Sequence, residues 1–370
     1  MIYHFISGKH IHLSPQIIDS VLSNANFTNL NGKDDIFIYI ENTGKQIFQN
    51  RDTINVYNDI AQKYGFSNLK FINNSWNLFW KILRIKVKDK VIFHSALNPK
   101  ILVLINFFIY IFNAKNKAKS FNYICWGSDF GYNRKINKCD NMLKRFVAHI
   151  YEKVWPWYGH IVTLTSGDQK LLSDAYNSDN ISVIPYIGDK MFYTSIVKEQ
   201  SPIRIMVSHS GWEHNKHIES FNMLKRFKDE DILIVCPLCY GDPQYIQDVI
   251  QQGIKIFGSK FFYFTELKTS DEYLNLLLKN HIYVTGAEIQ TGLGALYRNM
   301  RGNAKIYVRA NLYQSCKSDG YIVYNYDEIG HLSFKEFINP NSNDIFLHNI
   351  NTYNHIKIDS VIEKWKKLYS

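Results

Sequence analysis

The stretch SPIRIMVSHSG (Ser201–Gly211) shows how the chain is organised. Its central run, Ile203–Val207, is apolar and β-branched, as in a buried parallel strand, and the serines and glycine after it predict a turn into a helix. Before it, Tyr186–Pro202 is a mixed polar stretch with a glycine and a Ser-Pro pair, which is typical of a connector. The sequence therefore predicts that a second domain begins near residue 190.

Short apolar runs alternate with longer segments of helical period on both sides of this connector, which predicts parallel sheets covered by helices. Eleven strands are too many for one ordinary doubly wound sheet, so we expect an α/β protein of two Rossmann-like domains, residues 1–188 and 189–370, with the C-terminal helix packed back on the first. The predicted strands are Ile2–Ser7, Ile36–Ile40, Val91–Phe93, Tyr123–Trp126, Ile161–Thr165, Ser182–Ile184, Ile203–Val207, Ile232–Cys236, Ile254–Phe257, Ile282–Thr285 and Lys305–Val308. The predicted helices are Pro15–Ala25, Asn98–Phe112, Arg134–Trp155, His214–Lys228, Pro243–Gln251, Asp271–Lys279, Gly292–Arg301 and Asp359–Tyr369.

The excess positive charge lies in the first half of the chain. The 370 residues include 43 Lys and Arg against 33 Asp and Glu, a net charge of +10, and 46% are hydrophobic, which excludes a disordered chain. Residues 1–185 hold 22 of the basic and 13 of the acidic side chains, whereas residues 186–370 hold 21 and 20. A basic first domain suits an anionic membrane or a phosphorylated substrate; no recognised nucleic-acid module is present, so nucleic acid is not an expected partner.

Cysteine usage and hydropathy predict a reduced, cytoplasmic protein. Five cysteines show no framework spacing, and the first residues lack the order of a signal peptide. The pair Cys236 and Cys239 has no second pair or histidine cluster nearby, so no metal and no cofactor is expected. The longest apolar run, Ile101–Phe112, has twelve residues where about 20 are needed to span a bilayer. It predicts either a buried helix or a helix that contacts lipid.

The loop Thr285–Leu296 is the strongest chemical signal in the sequence. Ligands of parallel α/β sheets bind at the carboxyl ends of strands, where this loop lies. Thr291, Gly292 and Gly294 would place N–H groups at the positive end of a helix, which suits a diphosphate, while Glu288 can accept a sugar hydroxyl. The alternative is a glycine turn made only for helix packing.

The loop Ser208–His217 follows the opening strand of the second domain. Its small residues let backbone N–H groups near Gly211 approach an anion, with Ser208 and Ser210 as hydroxyl donors and Lys216 as a cation that can assist. A plain strand-to-helix turn is the alternative. The aromatic stretch Phe261–Phe264 either flanks a planar base or belongs to the sheet core.

In the basic half, Asp129 follows a predicted strand and is flanked by aromatic residues. This setting suggests either a general base or a carboxylate that caps and hydrogen bonds its own loop. His94, after an earlier strand, is either a ligand contact or a satisfied structural histidine.

The segment after Asp129 combines basic side chains with aromatic ones. Such a pattern suits a membrane surface or a lipid-linked phosphate, and a solvated helix face is the alternative. The residues predicted to contact the acceptor or the membrane are Trp126, Ser128, Arg134, Lys135, Lys138, Lys144 and Arg145, followed by the aromatic stretch Trp155–Tyr158.

In their shared order these loops resemble glycosyltransferase family 56, over about residues 90–310. The stretches that carry the resemblance are Phe93-His94 with Asn98-Pro99, Trp126–Asp129, Ser210-Gly211 with Asn215 and His217-Ile218, Pro237 with Tyr240-Gly241, Glu266-Leu267 with Asp271–Leu274, and Gln290–Gly294.

This resemblance implies a GT-B arrangement, in which two Rossmann-like domains face across a cleft. It further implies a metal-independent, hexosyltransferase-type enzyme that moves a deoxyamino sugar from a nucleotide-diphosphate donor such as dTDP-4-acetamido-4,6-dideoxygalactose (dTDP-Fuc4NAc). The implied acceptor is a polyprenyl-diphosphate-linked glycan of bacterial surface polysaccharide synthesis, such as O-antigen or enterobacterial common antigen, at the inner face of the cell membrane. The second domain would bind the donor and the first the acceptor.

By this resemblance Asp129 and His94 are catalytic candidates. The donor-binding set is Ser208, Ser210, Gly211, Lys216, Tyr240, Glu266, Glu288, Gln290, Thr291, Gly292 and Gly294. A non-catalytic nucleotide-sugar-binding or scaffold protein is the alternative from another functional class, and an epimerase that acts on the donor alone is a third possibility.

Overall fold

Two compact units make up the chain in a computed structural model. The first comprises Met1–Asp189 together with Lys357–Ser370, and the second comprises Lys190–Ile356. The structure describes residues 1–7, 35–39, 54–55, 57–59, 62–63, 68–95, 99–127, 129, 141–176, 178–188, 190–192 and 198–369. The predicted helix over residues 15–25 and the first part of the one that begins at residue 134 lie outside these ranges.

The first unit is built on a seven-stranded parallel sheet. Its strands are β1 (Ile2–Ser7), β2 (Asp35–Tyr39), β3 (Leu69–Ile72), β4 (Lys90–His94), β5 (Phe121–Cys125), β6 (His160–Thr163) and β7 (Ile181–Val183). They lie side by side in the order β3-β2-β1-β4-β5-β6-β7. Because the chain builds outward from β1 in both directions, the topological switch point lies between β1 and β4.

Helices cover this sheet because successive strand residues face opposite sides. In β4, Phe93 packs toward the helices that connect the strands, whereas its neighbour Ile92 packs toward the other face. The connecting helices are α1 (Ser75–Arg84), α2 (Pro99–Ile111), α3 (Lys115–Ala118), α4 (Met142–Val154) and α5 (Ser166–Tyr176). The Asn74 side chain caps α1 by accepting the N–H of Trp76 at 2.8 Å, and Asn141 caps α4 in the same way.

The second unit has a six-stranded parallel sheet. Its strands are β8 (Ile203–Val207), β9 (Ile232–Pro237), β10 (Phe261–Phe264), β11 (Ile282–Val284), β12 (Lys305–Val308) and β13 (Tyr324–Asn325), in the order β10-β9-β8-β11-β12-β13. Its helices are α6 (His217–Leu224), α7 (Pro243–Phe257), α8 (Ser270–Leu278), α9 (Leu293–Arg301), α10 (Ala310–Ser318), α11 (Phe334–Ile338) and α12 (Asn343–Asn354).

The last helix, α13 (Val361–Tyr369), belongs to the first unit although it follows the second in sequence. The indole N–H of Trp365 donates to the Pro185 carbonyl at 3.0 Å, and its ring stacks on Tyr186. Val361 and Leu368 join Trp365 in the apolar layer below the sheet. The helix therefore covers the sheet face opposite α1, α2 and α4.

One predicted strand is wrong. Ile254–Phe257 is the last turn of α7, which begins at Pro243 behind an Asp242 cap and is longer than expected. Its β-branched side chains gave a strand-like pattern, but an apolar helix face produces the same short run. The strands that were not predicted are β3, β10 and β13, and the helices that were not predicted are α1, α3, α5, α10, α11 and α12.

The aromatic run of β10 divides between the two alternatives for it. Phe261 and Phe264 are buried in the apolar core, whereas Phe262 and Tyr263 are exposed on this edge strand. The sheet-core interpretation is therefore correct for the two outer residues of the run.

Candidate functional site

The switch point of the second sheet lies between β8 and β11. These neighbouring parallel strands belong to halves of the sheet that run in opposite directions along the chain, and ligands of open α/β sheets bind beyond the carboxyl ends of the strands at such a point. The two loops are Ser208–Lys216 and Thr285–Gly292, which lie within the segments singled out from the sequence, Ser208–His217 and Thr285–Leu296.

Ser208 joins these two loops. It is fully buried, has a left-handed backbone (φ 56°), and its hydroxyl donates to the Asn215 carbonyl at 2.9 Å. The same oxygen lies 3.2 Å from Thr285 Oγ1 in the neighbouring loop. The Ser208 hydroxyl, predicted as a donor to an anion, therefore holds the loop base in this structure.

Ser210 and Gly211 shape the other end of the first loop. Asn215 Nδ2 donates to the Ser210 carbonyl at 2.7 Å and lies 2.9 Å from its Oγ. The Gly211 N–H donates to the Tyr240 carbonyl at 2.8 Å, where Gly211 forms a bridge with Gly241. The expectation that the Gly211 N–H faces an anion is therefore wrong, because that donor connects the loops after β8 and β9.

Gly211 is also required for close packing. A Cβ atom at this position would lie 2.2 Å from Ile246 Cγ1 in α7. We expect Gly211→Ala to lower the melting temperature by several degrees, since overpacking of this kind costs about 1–3 kcal/mol. Gly330→Ala is the matched control, because a Cβ there would meet no atom within 4 Å. Equal melting of the two variants by calorimetry would contradict the tight approach at Gly211.

The second loop ends in the left-handed residue Gly292, which caps α9 (φ 63°). A Cβ atom on Gly292 would lie 2.4 Å from His209 Nδ1, and Thr291 Oγ1 lies 3.4 Å from His209 Nε2. His209 therefore links the two loops, a role that nothing in the sequence pattern indicated. The first turn of α9, with Gly294, presents N–H groups that have no partner within the helix, as at any helix start.

Two polar side chains accompany this helix start. Gln290 is 8% exposed, and its Oε1 is buried without a hydrogen-bond partner among the described residues. Such a group is costly unless a ligand or water satisfies it. Glu288 is exposed, and its backbone carbonyl accepts the N–H of Asn311 at 3.3 Å. The residue is therefore accessible to a sugar hydroxyl.

The remaining donor-binding candidates border the same strand ends. The backbone of Lys216 is left-handed (φ 56°). Lys216 lies close to the second loop, because a Cβ atom added to Gly286 would be 2.9 Å from the Cβ atom of Lys216. Tyr240 follows β9, and burial raises the pKa of its hydroxyl. Glu266 follows β10, and its carbonyl accepts from Cys239 Sγ at 3.0 Å. The strand order thus places Tyr240 one strand, and Glu266 two strands, from the switch point.

Asp129 lies beyond the carboxyl end of β5 in the first unit. It is 2% exposed, accepts the Trp126 N–H at 2.8 Å, and lies 3.1 Å from Ser95 Oγ, which follows the neighbouring strand β4. Its own N–H donates to the Trp126 carbonyl at 2.8 Å. The carboxylate therefore closes its own turn and ties it to the next loop, which is the hydrogen-bonding alternative for this residue.

His94 forms part of a buried polar chain. Its Nε2 lies 3.1 Å from His4 Nδ1, and its Nδ1 lies 2.9 Å from the Tyr186 hydroxyl, which Trp126 Nε1 approaches at 3.4 Å. Burial, and then His4, hold the pKa of His94 well below its usual range. Both ring nitrogens are engaged, so this geometry favours a structural histidine over a ligand contact.

These buried histidines predict acid sensitivity. Burial lowers the pKa of His4 to about 3, from 6.5 for a free side chain. Between these values only the unfolded chain takes up the proton, so the free energy of unfolding should be largest above pH 6.5 and fall as the pH decreases, by up to about 1.4 kcal/mol per pH unit. His4→Gln should flatten this slope in urea unfolding at pH 7 and 5, whereas the exposed-residue control His348→Gln should not. Identical slopes would refute the assignment.

The predicted basic and aromatic face is only partly described. Ser128, Arg134, Lys135 and Lys138 lie outside the described residues, whereas Lys144 and Arg145 are exposed in the first turn of α4. The expectation that the aromatic stretch after α4 is interfacial is wrong for two of its members. Trp155 and Tyr158 are buried, and Trp155 packs on Tyr123 with ring centroids 5.1 Å apart.

The described ranges contain neither a cluster of metal-ligating side chains nor a helix that could span a membrane. There, no three His, Cys, Asp or Glu side chains lie together as metal ligands would. The Cys236 thiol is buried, and burial raises its pKa well above the usual range. None of the helices in these ranges has the length and apolar composition needed to cross a membrane.

Comparison with known proteins places these loops in context. The family model of 4-alpha-L-fucosyltransferase, glycosyl transferase group 56, matches residues 39–327. Anabaena Alr3699/HepE in complex with UDP and glucose is 9% identical, with a TM-score of 0.66 over 99% of this chain and 98% of its own. The lipopolysaccharide outer core galactosyltransferase WaaB in its apo form is 12% identical (TM-score 0.60; 100% and 99% covered), and trehalose-6-phosphate synthase OtsA is 8% identical (0.58; 100% and 97%). These likenesses show the fold, and the predicted GT-B class is confirmed.

Proposed function

We propose, since the chain belongs to glycosyl transferase group 56, that it transfers a deoxyamino sugar from a nucleotide-diphosphate donor to a polyprenyl-diphosphate-linked glycan. The family and the GT-B fold make it a nucleotide-sugar glycosyltransferase. The proposed donor is dTDP-Fuc4NAc or a similar sugar, and the proposed setting is bacterial surface polysaccharide synthesis at the cytoplasmic face of the membrane, without a metal.

The observation that carries this proposal is the pair of loops at the switch point of the second sheet. We assign the donor diphosphate to the start of α9, where the first-turn N–H groups have no partner within the helix and the helix dipole favours negative charge. The leaving nucleoside diphosphate gains charge during transfer, and preorganised N–H groups stabilise such charge without reorganisation. The UDP bound in the HepE structure supports a nucleotide donor by analogy.

Side chains around this helix start would supply specificity. The Oε1 atom of Gln290 is buried and has no hydrogen-bond partner among the described residues. A hydroxyl or amide N–H of the nucleotide sugar would satisfy it by donating a hydrogen bond. Glu288, being exposed, would accept a sugar hydroxyl. Arg298, whose Nη1 lies 3.4 Å from the Gly294 carbonyl, and Lys216 are the cations proposed to balance the diphosphate.

We assign the acceptor to the first unit, which carries the basic excess. Asp129 is the only carboxylate predicted as a catalytic base. Its hydrogen bonds to Trp126 and Ser95 hold it in one orientation, as a base that must meet a hydroxyl requires.

The test is a transfer assay with the full chain. A panel of dTDP- and UDP-sugars is incubated with a short-chain lipid-diphosphate-linked sugar acceptor, with and without EDTA. We expect transfer from a dTDP-deoxyamino sugar that is unchanged by EDTA. Tight nucleotide binding with no transfer from any donor would instead support the non-catalytic scaffold, and product formed without acceptor would support an epimerase or hydrolase.

A further inference from the structure

The described exposed hydrophobic side chains are concentrated on one layer of the first unit. Nine of the eighteen large ones lie on α1, α2 and α4 or on the residue that follows α2. α1 and α4 each pack against α2, on the sheet face opposite α13. A patch of this kind on a soluble protein marks a binding surface rather than ordinary solvent exposure.

The centre of the layer is the outer stripe of α2. Leu104, Phe107 and Ile111 are exposed at a spacing of three and four residues, which is the solvent-facing side of the helix, and Phe112 continues it. Ile105 and Ile109, on the opposite side, are buried in the core. The buried-helix alternative therefore holds for one face of α2, and the other face is exposed.

The first turn of α4 extends this stripe. Met142 is 85% exposed and Leu143 is 69% exposed, and the Phe146 ring lies 6.2 Å from the Phe107 ring of α2. Lys144 and Arg145 are exposed in the same turn. Apolar and basic side chains therefore project together from one end of this helix.

On the other flank, α1 exposes two tryptophans one turn apart. Trp76 is 61% exposed, Trp80 is half exposed, and the Arg84 guanidinium lies 5.9 Å from the Trp80 ring. Tryptophan is enriched where a membrane meets water, because its ring is apolar and its N–H is polar. α1 and α2 contain no Asp or Glu, and α4 contains only Glu152, in its last turn.

We propose that the outer layer of α1, α2 and α4 docks on an anionic lipid bilayer, with the apolar side chains in the interface and the basic ones at the headgroups. This inference rests on the proposed function, because a polyprenyl-linked acceptor lies in a membrane. The charge pattern favours lipid over a second copy of the chain. A symmetric contact through this layer would bring together two copies of a face that carries Lys144 and Arg145 and whose helices contain a single carboxylate, Glu152.

The test is co-sedimentation of the full chain with vesicles. Phosphatidylcholine vesicles are compared with vesicles that contain phosphatidylglycerol, at low and high NaCl. We expect binding to the anionic vesicles that weakens as salt rises. Lys144→Gln with Arg145→Gln should weaken it by about 30-fold, and Phe107→Gln with Ile111→Gln by at least about tenfold.

The matched controls are Ile254→Gln with Leu267→Gln and Lys225→Gln with Lys255→Gln, which change exposed residues of the second unit and should bind like the wild type. Melting curves check that each variant folds. The Phe107→Gln, Ile111→Gln variant should keep full transfer to the short-chain acceptor in solution.

Three results would overturn the docking surface. The first is a wild-type chain that stays in the supernatant at low salt. The second is a loss of vesicle binding in the control variants as large as that in the layer variants. The third is a wild-type chain that does not bind vesicles and forms, by ultracentrifugation, a dimer that the Phe107 and Ile111 changes dissociate. Transfer in solution without vesicle binding would support the proposed function and contradict only the docking surface. Vesicle binding with no transfer from any donor would support the docking surface and contradict the proposed function.

Discussion

Gly292→Val is expected to weaken binding of dTDP and UDP by about 100-fold or more. Residue 292 has a φ of 63°, which a β-branched residue adopts only at a cost of about 1–3 kcal/mol. Its Cβ would also lie 2.4 Å from His209 Nδ1, so the two loops at the switch point would have to separate. Isothermal titration of the full chain with each nucleotide measures the effect.

Gly258→Val is the matched control for this change. Gly258 also has a positive φ, 57°, but a Cβ there would meet nothing within 4 Å, and it ends α7 rather than starting α9. It should lose melting temperature through backbone strain and keep nucleotide affinity. If Gly292→Val binds nucleotide as tightly as this control, the donor diphosphate does not bind at α9.

Asp129→Asn is expected to reduce kcat for transfer by about 100-fold or more, with a smaller change in KM. The amide keeps an oxygen that can accept the Trp126 N–H, but it cannot take a proton from the acceptor hydroxyl. Loss of a general base typically costs about 10²–10⁴ in rate. Steady-state kinetics with the short-chain acceptor over a pH series provides the measurement.

Asp168→Asn is a suitable comparison, because Asp168 is a buried carboxylate of the same unit on α5 rather than after β5. Both variants should lose some melting temperature, and only the Asp129 variant should lose kcat. A folded Asp129→Asn enzyme with wild-type kcat would show that Asp129 is not the catalytic base. Its role would then be structural, through the hydrogen bonds to Ser95 and Trp126.

Several site predictions from the sequence depended on which distant residues a side chain would contact, and the structure corrects these predictions. Trp155 and Tyr158 looked interfacial beside their lysines, yet both are core residues. Ser208 and Gly211 looked like anion donors, yet the Ser208 hydroxyl contacts Thr285 and the Gly211 N–H donates to Tyr240, so both connect loops of the second unit. His209 was not singled out, because its contact with Gly292 joins residues 83 positions apart. No local pattern encodes such a contact.

Local patterns were sufficient for most of the secondary structure. Apolar runs such as Ile203–Val207 and Lys305–Val308 became strands with those bounds. The error at Ile254–Phe257 arose because a four-residue apolar run is compatible with a strand or with one helix face.

The sequence by itself determined that strands and helices alternate, that they form two parallel sheets, and that the basic charge belongs to the first. Those properties follow from residue order alone. The spacing of apolar side chains within a segment sets its secondary structure, and the net charge of a domain is the sum of its own side chains. Only the tertiary structure decided that β8 lies beside β11, so that two distant loops meet at Gly292, and that α2 presents Phe107 and Ile111 outward. Both features depend on strand pairing and helix packing. Strands pair and helices pack where segments distant in sequence bury their apolar surfaces against one another, and no single segment specifies its partner.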